Sequence, residues 1–513
     1  MARGAIGSCR KCCDSFRPFD TVIAPFYHGA RFLPACCQFQ SGRSIVRLDS
    51  TIVAWTLSVL SVSVLSFAAA AGESAPPRPN VLLILVDDLG YGDLSSYGAT
   101  DLQTPHIDRL VSRGMRFSAF YANCTVCSPT RAALLSGRYP DTVGVPGVIR
   151  TYPHNSWGLL SRDAVLLPAA LKTVGYRTAM FGKWHLGLGE PNLPNLRGFD
   201  FFHGFLGDMM DDYWRHRREG QNYMRQNDQA IDPEGHATDL FTDGTCRYLR
   251  ERGDTKPFFI YLAYNAPHFP IQPPEDWLDR YRARHPDVAE KRARNCAFIE
   301  HLDDGVGKVL RALEEAGHAG RTLVLFTSDN GGSLPHAQSN GWLNGGKQDM
   351  LEGGIRVPMC AVWPGQIQPG SRTDRVALTM DLYATICDAA GAGYDQSIDG
   401  RSILPTLLGR PQPPEDRYLV WVRLEGGRRY HGTPYYCVRH GDWKLLQNDP
   451  DEPMRMYNLK DDPKETIDVS QEHPQIRAEL VEALEAHIER YREVPYRLPD
   501  GTGPGEIGQP RAQ

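Results

Sequence analysis

Cys127 opens the stretch Cys127-Ser128-Pro129-Thr130-Arg131, and Leu135-Ser136-Gly137-Arg138 follows it. Pro129 suits the first turn of a helix, where a missing N–H costs nothing. Residues 130–138 read as helical through Ala132, Ala133, Leu134 and Leu135. That places Cys127 at a helix N-terminus, where unpaired amides and the helix dipole favour an anion. Arg131 falls one turn along the same face, so its guanidinium could reach whatever Cys127 carries. Two plainer readings stand beside this one. Cys127 could be a buried structural cysteine, or Cys124-Thr125-Val126-Cys127 could be a redox pair. A dithiol, however, does not require the Pro-Thr-Arg and Leu-Ser-Gly-Arg that follow.

Two pairs of oxygen-bearing side chains supply the complementary chemistry. Asp87-Asp88 directly follows an apolar run, and Asp329-Asn330 closes another and leads into Gly331-Gly332. Adjacent acids repel and need a cation or strong donors nearby, although helix capping is their plainer use. Four oxygen-bearing side chains converging from two strand ends suit a hard divalent cation such as Ca²⁺; Mg²⁺ demands more regular geometry. Lys183 and His185 point the same way if their segment is extended, and either alone would be solvated surface.

The elements that must position these groups are legible. Asn80–Val86 (NVLLILV) is a continuous apolar run, as expected for a strand buried on both faces of a parallel sheet. Thr104-Pro105 opens a helix to about Gly114, with Thr104 as its cap. Further buried strands read near 176–181, 257–262, 321–327 and 357–362, with helices near 164–174, 237–252 and 288–316 between them. Strands alternating with helices argue for a parallel α/β sheet covered on both sides. Carboxylates at the C-terminal ends of such strands stand where open α/β sheets bind ligands. From about residue 415, short alternating segments (Arg417–Arg423, Tyr435–His440, Trp443–Gln447) suggest a smaller antiparallel sheet, followed by a helix near 474–492. Residues 207–236 read as an irregular insertion whose Tyr213-Trp214-Arg215-His216-Arg217-Arg218 is a candidate sugar contact or a solvated loop.

The cysteine stretch resembles the sulfatase signature C-x-P-S-R-x-x-x-L-T-G-R, with Thr130 for Ser and Ser136 for Thr. Gly182-Lys183-Trp184-His185-Leu186-Gly187 is similar to the family's G-K-W-H-L-G. Ala266-Pro267-His268-Phe269-Pro270 resembles its second histidine motif, and Gly345-Gly346-Lys347 with Glu352-Gly353-Gly354-Ile355-Arg356-Val357-Pro358 its last signature. The resemblance runs in family order from about Asn80 to Asp468, with the C-terminal phrase at Met456-Tyr457-Asn458-Leu459.

It implies an arylsulfatase-A-like enzyme of the alkaline-phosphatase superfamily: a large mixed, mainly parallel sheet sandwiched by helices, with a smaller C-terminal antiparallel sheet plus helix. It implies that Cys127 is oxidised to Cα-formylglycine, whose hydrate is the nucleophile. Asp87, Asp88, Asp329, Asn330 and residue 127 are then the metal ligands. Arg131 orients the nucleophile, Lys183 and Lys347 hold sulfate, Asp329 accepts the attacking proton, His268 protonates the leaving alcohol and His185 assists sulfate release. Arg356 is structural support. The expected substrate is a sulfate ester of a saccharide, and a formylglycine-generating or equivalent enzyme is the expected maturation partner. A phosphonate monoester or phosphodiester hydrolase of the same superfamily is the nearest rival. A non-catalytic secreted binding protein would need a missing catalytic residue, and none is missing.

The chain has 513 residues, 41% hydrophobic and 23% charged, as in ordinary globular proteins, and its net charge of −5 with no basic block argues against nucleic acid. Residues 51–71 are apolar, preceded by Arg43 and Arg47, and end in Ala69-Ala70-Ala71 before Gly72. They read as an export signal with a small-residue cleavage site, or as an uncleaved anchor. The residues before them carry Cys9, Cys12, Cys13, Cys36 and Cys37, either a metal cluster or the product of a start codon set too far upstream. The expected organisation is an extension and signal or anchor over 1–71, a catalytic domain over 80–414, a C-terminal α+β subdomain over 415–498 and a loose tail over 499–513.

Overall fold

The computed structural model describes residues 78–496, with 254, 395–396 and 427–429 left out. The N-terminal extension, its apolar segment and its five cysteines lie outside the described residues, as does the tail. Among the described residues no helix is long and apolar enough to cross a membrane.

Asn80–Val86 is a strand buried along its whole length, because helices cover both faces of the sheet it centres. Val81, Leu83 and Leu85 pack on one face with helices Cys127–Ser136, Leu167–Lys172 and Asp381–Ala390. Leu82, Ile84 and Val86 pack on the other with helices Pro105–Ser112, Ala237–Glu251 and Glu290–Glu315. Alternation of side chains along an extended chain divides one apolar run between two cores.

The sheet has ten strands. Its centre is parallel, in the order Thr322–Ser328, Asn80–Val86, Phe258–Ala263, Arg177–Lys183, Phe201–Phe205. On one side Met359–Val362 pairs antiparallel with the centre, Met115–Phe117 antiparallel with it, and Ser371–Thr373 parallel with Met115–Phe117; the hairpin Met224–Gln226 with Gln229–Ala230 extends the other side. The mixed, mainly parallel architecture is thus as expected. The supposed irregular insertion in fact supplies that last hairpin, since its polar residues are acceptable at a sheet edge. Strand Phe201–Phe205 and helices Glu275–Arg284 and Asp381–Ala390 were not expected.

Two helix ends differ from the sequence reading. Helix Cys127–Ser136 stops before 138 because Gly137 turns left-handed at φ +69° and closes it. Thr104 does not cap the helix it precedes: its hydroxyl bonds Ser95 and Asp108. Asp303 does so from a distant helix, accepting from the amides of His106 at 3.1 Å and Ile107 at 2.7 Å.

The second sheet is antiparallel, in the order Leu419–Leu424, Pro434–His440, Trp443–Leu446, Arg455–Asn458, and helix Pro474–Tyr491 packs on it through Leu480 and Leu484. Its core runs on into Tyr121, Ala133, Met350 and Ile355 of the main body. Trp421 Nε1 donates to Ala122 O at 2.7 Å. A buried charge node completes the join: Lys444 Nζ lies 2.9 Å from Glu352 and 2.8 Å from Glu465, all three out of water. Tyr121 donates to Glu352 at 2.7 Å and accepts from Arg439 at 2.5 Å.

Removing one partner from a buried ion group leaves the other charges uncompensated. Lys444→Ala is therefore expected to cost roughly 3–5 kcal/mol of unfolding free energy in urea titrations. A cost well under 1 kcal/mol would show that the node does not hold the second sheet in place.

Candidate active site

Four adjacent parallel strands end at one place, and each delivers part of the site. Asn80–Val86 delivers Asp87 and Asp88; Thr322–Ser328 delivers Asp329 and Asn330; Arg177–Lys183 ends in Lys183; Phe258–Ala263 leads to His268. Helix Cys127–Ser136 brings Cys127 and Arg131, and a loop brings Lys347. Gly182 is required where it stands: its φ is +95°, and a Cβ there would lie 1.9 Å from Ala263 O. His185 is left-handed too, at φ +58°. Lys183 and His185 therefore do not share an extended segment, and same-side alternation is not what aims them.

The carboxylates take separate cations. Asp87 Oδ2 accepts from Lys183 Nζ at 2.5 Å and lies 3.7 Å from Arg131. Asp88, left-handed at φ +65°, is gripped by Lys347 Nζ at 2.7 Å and Asn330 Nδ2 at 2.7 Å, with His268 Nε2 3.7 Å away. Asp329 Oδ2 accepts from Arg131 Nε at 3.0 Å and Nη2 at 2.6 Å. Arg131 Nη1 donates to Lys183 O at 3.0 Å. The guanidinium, expected to reach the nucleophile, bonds Asp329, to which its planar fork is matched, and also interacts with the Cys127 thiol.

Burial raises the Asp88 carboxyl, but Lys347, helped by the Asn330 hydrogen bond, outweighs it and holds the group well below the usual carboxylate range. At Asp329 burial, reinforced by Asp87, wins over Arg131 and Lys183 and pushes the carboxyl up to about 6. Asp87, Asp88 and Asp329 each offer an oxygen within 4.8 Å of the others, so their mutual repulsion calls for more positive charge. Asp87 Oδ1 and Asn330 Oδ1 are buried with no hydrogen-bond partner. A donor set of oxygens with two acceptors unspent fits a hard divalent cation.

Cys127 is the first residue of its helix and nearly fully buried. Burial pushes its thiol up to about 11 against the pull of Lys183 and Lys347. The helix end therefore does not ionise it, and a cysteine that attacks as a thiolate needs the opposite shift. Cys124 is likewise pushed up to about 11 by burial, and its thiol donates to Val422 O at 3.4 Å. Neither sulfur is poised for redox exchange, and all seven described cysteines are unpaired.

Both site histidines are neutral. Burial and Lys347 push His268 down to about 3; burial and Lys183 hold His185 well below its ordinary value. His268 Nδ1 contacts Phe269 O at 2.6 Å and His185 Nε2 contacts Ile149 O at 2.8 Å. In a neutral ring each of these nitrogens must carry the proton, which leaves His268 Nε2 and His185 Nδ1 as lone pairs. Arg356 bonds Ser118 O at 2.7 Å and Glu352, a bracing position.

The run Tyr213–Arg218 divides. Tyr213 is buried, its hydroxyl 2.8 Å from Asn265 O and 2.9 Å from His268 O, so it is a strut behind His268. Arg217 pairs with Asp232 and Arg218 with Asp208, and His216 is buried. Only Trp214, 49% exposed, and Arg215 remain open to a ligand. A second cluster, His236, Asp239 and His301, is not a ligand set. His236 Nδ1 accepts from the Thr238 amide and Nε2 faces Gln272 O, so both its nitrogens are used.

The family model described as Sulfatase matches residues 79–392, and the one described as N-sulphoglucosamine sulphohydrolase, C-terminal, matches residues 340–493. The N-acetylgalactosamine-6-sulfatase of Sus scrofa is 35% identical over 368 residues, covering 67% of this chain and 69% of its own. The arylsulfatase A of Bos taurus is 32% identical over 473 residues, covering 82% of this chain and 89% of its own. Among solved structures, Ps i-CgsB matches with a TM-score of 0.75 and 30% identity over 82% of this chain and 95% of that one. Ps i-CgsB is also solved in complex with k-i-k-neocarrahexaose.

The depressed histidines give the fold an acid limb. An unfolded histidine binds a proton near pH 6.5, whereas folded His268 does so only near 3. Stability is therefore whole above pH 6.5 and falls as pH drops toward 3, because the unfolded chain takes up the proton first. In His268→Gln the unfolding free energy measured between pH 6.5 and 4 should fall less steeply; a slope equal to wild type would contradict the assignment.

Proposed function

The chain belongs to the sulfatase family and is a sulfuric ester hydrolase, and from that premise we propose that it cleaves a sulfate monoester carried on a carbohydrate, using Cys127 as the precursor of a Cα-formylglycine nucleophile beside a bound Ca²⁺. One observation carries the reading: the buried first turn at Cys127 is ringed by Asp87, Asp329, Lys183 and Lys347, all close enough to shift its thiol. A ring of both signs around a neutral, unreactive sulfur suits a nucleophile made by modification better than it suits a thiolate.

Asp87, Asp88, Asp329 and Asn330, with residue 127, would hold the cation, which polarises a sulfate oxygen and offsets its charge. After oxidation, residue 127 supplies a hydrated aldehyde with one hydroxyl to attack sulfur and a second through which sulfate can be expelled. Lys183 and Lys347 provide the positive field for the sulfate oxygens, worth most where water is excluded. Both keep their charge despite burial, because Asp87 holds Lys183 up and Asp88 holds Lys347 up.

Arg131 aims Asp329 through two N–H bonds, and burial beside Asp87 raises this carboxyl, which favours its accepting a proton. His268 exchanges its proton at Nε2. Burial, with Lys347, keeps this ring neutral; an anion arriving beside Lys347 offsets the second of these and favours a proton at Nε2, from where it can pass to the departing alcohol. His185 accepts a proton at Nδ1, which is buried without a partner.

The carbohydrate is suggested by the names of the relatives, an N-acetylgalactosamine-6-sulfatase and a protein solved with a neocarrahexaose; Trp214 and Arg215 are the exposed rim residues that could touch a sugar. Export through residues 51–71 and maturation by a formylglycine-generating or equivalent enzyme belong to the same reading. Phosphonate monoester or phosphodiester hydrolysis is the rival, and initial rates on nitrophenyl sulfate and phenyl phosphonate separate the two.

Cys127→Ala should abolish sulfate release from sulfated saccharides, and Cys127→Ser should allow at most one transfer to the enzyme unless the host matures serine. Steady turnover in Cys127→Ala would falsify the mechanism. The matured peptide spanning residue 127 should weigh about 18 Da less than its thiol form. Asp88→Asn keeps a residue that tolerates left-handed backbone, so it should fold while losing bound divalent metal and rate together; full metal content by elemental analysis would remove Asp88 from the ligand set.

A further inference from the structure

The residue after Lys347, Gln348, is left-handed at φ +84° although it carries a side chain. Such a backbone persists only where its surroundings over-determine it. Its N–H donates to Thr125 O at 3.1 Å, in the segment that leads into Cys127. Its carbonyl accepts from the Tyr435 hydroxyl at 2.8 Å and from Arg423 Nη1 at 3.3 Å. Arg423 also donates to the Tyr435 hydroxyl at 2.5 Å, so the hydroxyl relays a charge-assisted bond onto the Gln348 carbonyl.

Both residues come from the antiparallel sheet, and neither is free to move. Tyr435 is fully buried and Arg423 is 2% exposed. The guanidinium stacks 4.9 Å from the Tyr430 ring and 5.6 Å from the Tyr435 ring. On its other side stands Glu425, which pairs with Arg150. The rest of the loop is tied as firmly. Lys347 N–H donates to Gly332 O at 3.0 Å, and Met350 N–H to Asn448 Oδ1 at 2.6 Å. The loop around Lys347 is thus held at Gly332 beside the strand end that carries Asp329, at Thr125 before Cys127, at Asn448, and by Tyr435 and Arg423 of the second sheet. A lysine has four rotatable carbons and no shape of its own, so the direction of its ammonium depends on how rigidly the backbone is held.

We infer that Tyr435, supported by Arg423, is a positioning residue for the sulfate group: it locks the Gln348 carbonyl so that Lys347 presents its ammonium to the anion at the Asp88 carboxylate. The inference rests on the proposed role of Lys347 as a sulfate contact. Tyr435 touches neither substrate nor reacting atoms and acts through the loop alone. The antiparallel sheet therefore contributes to anion affinity without lining the pocket at this point.

The test is calorimetric titration of inorganic sulfate into the matured, metal-loaded protein in four forms: wild type, Tyr435→Phe, Lys347→Met and the double variant. Tyr435→Phe should weaken sulfate about five-fold, the size of one hydrogen bond. Lys347→Met should weaken it more, and the double variant should be no weaker than Lys347→Met, because the hydroxyl acts only through that lysine. Tyr436→Phe, which loses a hydroxyl facing Tyr491 on the opposite side of the same strand, should bind as wild type does. If Tyr435→Phe costs the same with and without Lys347, or costs nothing, the hydroxyl is merely structural and the inference is overturned. If Lys347→Met leaves affinity unchanged, the role of Lys347 fails first, and the positioning role falls with it.

Discussion

Three carboxylates buried within a few ångströms of one another set the terms for the rest of the site. Asp87, Asp88 and Asp329 arrive from neighbouring parallel strands, so the sheet itself forces them together. Like charges out of water cannot coexist unless cations face them. Lys183 faces Asp87, Lys347 faces Asp88, and Arg131 faces Asp329 and also lies near Asp87, each cation delivered by a different element. The raised carboxyl of Asp329 shows that this compensation is incomplete. The two unpartnered oxygens of Asp87 and Asn330 show where further positive charge would be received. Buried acids with unspent oxygens and lysines of full charge are thus two sides of one arrangement.

The second sheet is part of that arrangement rather than an appendage. Its buried lysine, Lys444, neutralises Glu352, which begins the segment that crosses behind the site. Its Trp421 and Val422 hold the chain just before Cys127 through Ala122 O and the Cys124 thiol. Its Tyr435 and Arg423 fix the loop that carries Lys347. The helix turn at Cys127 is therefore gripped from the main sheet on one side and the antiparallel sheet on the other, which is how a short turn can be kept dry and rigid.

Much of this was legible in the chain. NVLLILV read as a doubly buried strand because its apolar run fills two cores, and the acids after it stood at a strand's C-terminal end. Tyr213 belongs to a run that reads as a candidate sugar contact or a solvated loop, because an aromatic beside arginines looks the same in sequence whether it faces solvent or props a histidine. Helical spacing gives Arg131 a face but not its hydrogen-bond partner, Asp329, almost 200 residues away. The hairpin at Met224–Ala230 escaped because edge strands lack the apolar signature of central ones.

The sequence by itself determined which chemistry is available: a cysteine at a proline-marked helix start, Asp-Asp and Asp-Asn pairs after apolar runs, and lysines and histidines in glycine- or proline-bounded motifs. Local spacing suffices for this because turns, caps and strand ends are short-range. Only the tertiary structure decided how those groups pair, which oxygens stay unspent, that Cys127 is a neutral thiol rather than a thiolate, and that Tyr435 reaches Gln348. Those outcomes depend on burial and on distances between residues far apart in the chain, and a charge responds to whatever the fold sets beside it.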